Sequence, residues 1–90
     1  MSRIEPLSGK HRFARVHSSG RRASRDGVTA VVQPRTEGAP RLGLSVGKAA
    51  GTAVVRNRIR RRLREAFRAY GPGPGDVILV GRAQVATEPF

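Results

Sequence analysis

The segment 53–70, AVVRNRIRRRLREAFRAY, constrains this chain more than any other part of it. At 100° per residue, Val55, Ile59, Leu63, Ala66, Phe67 and Tyr70 gather within about 120° of arc, the stripe of a helix resting on a sheet. Asn57, Arg61, Arg64 and Arg68 lie opposite, flanked by Arg58 and Arg60, and Glu65 is the helix's sole acid. Thr52 is placed to cap the helix, and GPGPG at 71–75 stops it. Arginines one turn apart repel by a few tenths of a kcal/mol per pair, so this face works against its own folding. Arg56 points into the apolar sector and must leave past the helix end. Arg56 and Arg58 also sit at the terminus where the helix dipole disfavours cations. Both features point to an anion outside the chain.

The remaining sequence gives that helix a sheet to lie on. VTAVVQP (28–34) is β-branched and strand-like, RLGLSVG (41–47) alternates apolar and small residues, and DVILVG (76–81) reads as a buried strand. The strand–helix–strand order puts the 41–47 and 76–81 strands in one sheet, with the helix across it. Upstream, Ser8 and Gly20 bracket a short helix that carries Phe13, Val16 and His17 on one face. Residues 21–27 are polar and turn-like with room for a short edge strand, 48–52 is a loop, and 1–9 reads as an extended arm. Ninety residues make one domain with a thin core, expected here over 1–90.

Charge narrows the partner. Eighteen basic residues against six acidic ones give +12, where about 2–8 suffices for solubility. Sixteen of the eighteen are Arg, but a GC-rich genome also favours Arg codons, so the net charge carries the argument. Such a field selects a polyanion, nucleic acid before an anionic membrane. A membrane-lying helix keeps its apolar face for lipid, whereas this one needs that face for the strands. A helix coated in arginine grips phosphates and offers few base-reading groups besides Asn57, which argues against a sequence-specific DNA binder.

Catalytic groups are scattered. The six acids stand singly, His11 and His17 fall on different helix faces, and there is no Cys. GLSVGKA (43–49) has the wrong glycine spacing for a phosphate-binding loop, and Ala49 stands where a hydroxyl would hold Mg²⁺. No apolar run spans a bilayer and 1–10 lacks a signal-peptide core, so the expected compartment is the cytoplasm.

LGLSVGKAAGTAVVRNRIRRRLREAF (42–67) resembles the signature of the bacterial ribonuclease P protein family, through Lys48, Gly51, Ala53-Val54, Arg56-Asn57-Arg58, Arg60, Arg61 and Arg64. KHRFARV followed by GRR, and GDVILVGR downstream, extend the likeness over roughly residues 7–85. The resemblance implies an α+β fold: an α/β sandwich like the second domain of ribosomal protein S five, with a small mixed sheet and a left-handed strand–helix–strand crossover. It implies a 1:1 partnership with a catalytic RNA that binds Mg²⁺ and hydrolyses precursor tRNA to release the 5′ leader, the protein having no self-sufficient active site. On that reading Lys48, Arg56, Asn57, Arg58, Arg60, Arg61 and Arg64 contact the catalytic RNA, while Lys10, Phe13, His17 and Val31 hold the leader. Two departures accompany it. His17 and Val31 stand where the family usually has aromatics, and the family's final helix has no counterpart before Phe90, so part of the sheet is expected to be bare. The alternative is a general RNA-binding or ribosomal-type module.

Overall fold

In a computed structural model of the chain, residues 3–86 are described. They form β1 (Glu5–Pro6), α1 (Lys10–Ser19), β2 (Arg21–Arg25), β3 (Val28–Pro34), β4 (Arg41–Ser45), α2 (Ala53–Tyr70) and β5 (Gly75–Gly81). Two 3₁₀ turns are present, Lys48–Ala50 before α2 and Ala83–Ala86 after β5. Residues 1–2 of the expected arm and 87–90 of the expected domain lie outside the described residues.

The sheet runs β1-β4-β5-β3-β2. β4 pairs parallel with both β1 and β5, while β3 pairs antiparallel with β5 and β2. β5 sits in the middle and is apolar on both sides, as a strand covered on two faces must be. Val77 and Leu79 join Ile59, Leu63 and Phe67 of α2 in one core. Ile78 joins Leu7, Val16 and Val31 in a second, under α1. Two helices on opposite faces of a mixed sheet make the α+β architecture.

α2 has the expected bounds. Thr52 Oγ1 accepts from the Val55 N–H at 3.3 Å, and Gly71 closes the helix in the left-handed region (φ 70, ψ 57). Several expectations shift. The 1–9 arm is partly sheet, because Glu5 and Pro6 pair with Arg41 and Leu42 and Leu7 is buried. Ser8 does not cap α1: the N-cap is Gly9 at φ 92, with no side-chain hydrogen bond. Residues 21–25 form a strand, closed by a tight turn with both Asp26 and Gly27 at positive φ. β4 stops at Ser45, although Val46 remains buried in the α2 core.

Tyr70 leaves the apolar stripe assigned to it. It is 82% exposed, and Ala66 is exposed too. Both border a cleft of about 620 Å³ between the end of α2 and the half-buried Val28, Ala30 and Val32 of β3.

At the start of β5, Asp76 is buried, with Oδ1 3.2 Å from Arg35 Nε and 3.7 Å from Arg41 Nη1. Neither Arg35 Nε nor Asp76 Oδ1 makes an aligned hydrogen bond, so the contact is mainly Coulombic. Arg35 also donates to the Glu37 carbonyl at 3.2 Å, and to the Ala39 carbonyl, which holds the turn between β3 and β4.

Candidate nucleic-acid interface

Folding α2 onto the sheet by Ile59, Leu63 and Phe67 forces its cations outward. Asn57, Arg58, Arg61, Arg64 and Arg68 are exposed, and Arg60 is half-buried. Arg60 Nη1 donates to Asn57 Oδ1 at 3.0 Å, which leaves the Asn57 amide hydrogens for an outside acceptor. Lys48 is exposed in the 3₁₀ turn just before the helix. Arg56 is half-buried as its angle requires, and its Nε lacks a hydrogen-bond partner. Arg62 turns aside toward the Val85 carbonyl, 3.5 Å away.

α1 builds the second surface. Val16 anchors it in the core, Phe13 is half-buried, and Lys10 and His17 are exposed. The Phe13 ring lies over Gly43, where a Cβ would come within 2.8 Å of its Cε2. The glycine in β4 is therefore what admits the ring. Leu7, Lys10, Phe13 and His17 border a cleft of about 560 Å³. Val31 does not reach it. The side chain is fully buried beneath Val16, so the sequence assignment of Val31 to the leader is corrected: it supports the layer under α1 and has no surface to offer.

A further cleft of about 440 Å³ lies at the sheet edge formed by β1, whose Glu5 and Pro6 line it. One wall is Phe13 and Leu7, shared with the α1 cleft; the other is Arg60, Arg64 and Arg68, one turn apart on the flank of α2. Thus the structure brings Phe13, Arg60 and Arg64 together and sets Arg61 on the outer face, while Lys48 and Arg58 are exposed toward the helix start. Two neighbours of these groups are not among the residues assigned to RNA or leader from the sequence. Arg68 was legible from its i+4 spacing to Arg64. Arg22 was not: Nη2 donates to His17 Nδ1 at 3.0 Å and to the His17 carbonyl, a contact no local pattern announces.

Among the described residues, no three His, Asp or Glu side chains come together as a metal-holding group. Nor is any helix there long and apolar enough to cross a membrane.

A small α+β protein with a continuous cationic flank beside an aromatic cleft is of the class that lies against a polyanion. The model of the Ribonuclease P family matches residues 1–90. The ribonuclease P protein component of Gluconacetobacter diazotrophicus is 41% identical over 85 residues, covering 89% of this chain and 73% of that one. That of Thermobifida fusca is 42% identical over 74 residues, covering 72% and 50%. The Staphylococcus aureus RNase P protein superposes with a TM-score of 0.83 at 24% identity, over 97% of this chain and 83% of that one. The Thermotoga maritima protein gives 0.77 at 24%, over 91% and 77%. The chain belongs to the ribonuclease P protein family.

Proposed function

We propose that this chain works as the protein part of ribonuclease P in 5′ maturation of tRNA, lying on a catalytic RNA through α2 and holding the precursor's leader along α1. The observation that carries this is the wall shared by the two clefts: Phe13 and Leu7 border both the α1 groove and the arginine flank. A single strand resting on the Phe13 ring lies beside cations that can neutralise its phosphates. Lys48, Arg56, Asn57, Arg58, Arg60, Arg61 and Arg64 face the catalytic RNA, one protein per RNA, and Lys10, Phe13 and His17 take the leader. Hydrolysis is the RNA's work, and the magnesium belongs there. Among the described residues the acids do not suit the metal, because no three of them come together and Asp76 is engaged by two guanidinium groups. The protein's contribution is charge and position: it relieves repulsion between the two RNAs and fixes the leader.

Reconstitution with the cognate catalytic RNA tests this. At low-millimolar magnesium, cleavage of precursor tRNA is expected to rise strongly when the folded chain is added. Binding to many RNAs without stimulation would instead favour a general RNA-binding module.

A further inference from the structure

The cleft between α2 and β3 is chemically unlike the cationic surface around it. Its floor is aliphatic, with Val28, Ala30 and Val32 of β3 half-buried. One wall is α2, where Ala66 is exposed and Tyr70 is 82% exposed. The outer wall is β2. Arg21, Ala23 and Arg25 stand opposite Val32, Ala30 and Val28 in the β2–β3 ladder, so they share the sheet face that carries the cleft, and all three are exposed. Arg21 has no ion pair or side-chain hydrogen bond among the described residues. Arg25 meets Asp26, the one acid lining the cleft, at 3.5 Å.

The dimensions suit one more helix. α2 lies over Gly81 of β5, where a Cβ would come within 2.6 Å of Ile59 and 3.0 Å of Leu63. β2 is two strands away from β5, about 10 Å, the spacing at which helices pack side by side. β3 runs from Val28 to Pro34, about 23 Å, which matches about 15 residues of helix. A second copy is a poor occupant, because each copy carries +12 and the outer strand is lined with arginine. A single-stranded nucleic acid is a poor one too: the floor of Val28, Ala30 and Val32 has no ring for a base to stack on.

We propose that this cleft is a docking groove for an amphipathic helix of another protein, with its apolar stripe on Val28, Ala30, Val32 and Tyr70 and its acidic flank against Arg21 and Arg25. The groove lies on the sheet face away from α1, and on the other flank of α2 from Arg60, Arg64 and Arg68. The inference therefore stands apart from the RNA reading above.

The test titrates the full chain with labelled synthetic peptides of about 15 residues, followed by fluorescence anisotropy. One peptide has leucines at helical spacing with glutamates between them; a second keeps the leucines and carries lysines; a third scrambles the first. The acidic patterned peptide should bind about ten-fold tighter than either of the others. Tyr70→Ser removes part of the apolar wall at an exposed position and should weaken it about three- to ten-fold. Arg21→Glu with Arg25→Glu should reverse the preference toward the lysine peptide. Arg58→Glu with Arg61→Glu changes the net charge equally on the outer face of α2 and should leave the order of the three peptides as it was. Circular dichroism checks that each variant is folded. Equal binding of the patterned and scrambled acidic peptides overturns the proposal, as does an equal loss in the two charge-reversed variants, which would place the contact on the RNA-facing arginines. A chain mass that doubles with concentration, and no longer does so in Tyr70→Ser, would make a second copy the occupant and overturns it as well.

Discussion

Gly43 offers a sharp test of how the α1 cleft is built. The methyl group of an alanine at this position would sit 2.8 Å from Phe13 Cε2, 3.2 Å from Cδ2 and 3.3 Å from Leu7 Cδ2. Ordinary contact begins near 3.4 Å, so the ring must retreat by about 0.6 Å. Overpacking a core costs about 1–3 kcal/mol. Phe13 is half-buried and meets the new methyl with the far edge of its ring, so it can swing toward the cleft, and the low end, about 1 kcal/mol, applies. In a domain of this size that lowers Tm by about 4–8 °C. The decisive measurement is a double-mutant cycle in urea. Gly43→Ala should cost about 1 kcal/mol in the wild type and close to nothing beside Phe13→Ala, because the clash has lost its partner. The displaced ring should also narrow the cleft and weaken precursor binding. Equal costs in both backgrounds would show that the strain lies in the backbone, and would refute the account of why a glycine stands under the ring.

Two further outcomes follow from other parts of the fold. Asp76→Ala removes the buried carboxylate that Arg35 and Arg41 share and should destabilise the chain by about 3 kcal/mol, seen as an early unfolding midpoint in urea. Wild-type RNA affinity should fall with salt at a log–log slope of about −4 to −5 if six phosphates are neutralised; replacing the exposed Arg58 and Arg61 by Ala should flatten it by about 1.5 while leaving the unfolding midpoint equal or higher.

What could be read from the residues was what short-range rules decide. The bounds of α2 follow from Thr52, a periodic stripe and Gly71, all within one segment. β1 was hidden because two residues including a proline carry no period, and their partners, Arg41 and Leu42, lie far along the chain. Tyr70 had the right angle for the stripe, but an angle does not say how far the sheet extends beneath a helix. Val31 failed as a surface residue for a related reason: alternation places it on a face, and only the position of α1 decides that this face is covered. The pairs Arg22–His17 and Arg35–Asp76 depend on strand pairing or on separate segments, so no motif could have announced them.

The order β1-β4-β5-β3-β2 has a consequence for how the molecule is made. Of the five described strands the one at the centre is the last to be synthesised, and each of the others reaches that sheet only through it or through a neighbour that pairs with it. Until residues 75–81 have cleared the ribosome, the β2–β3 hairpin and the β1–β4 pair remain separate fragments, each with its oily side open to water. Assembly is thus a late event dominated by distant pairings, a topology associated with slow folding.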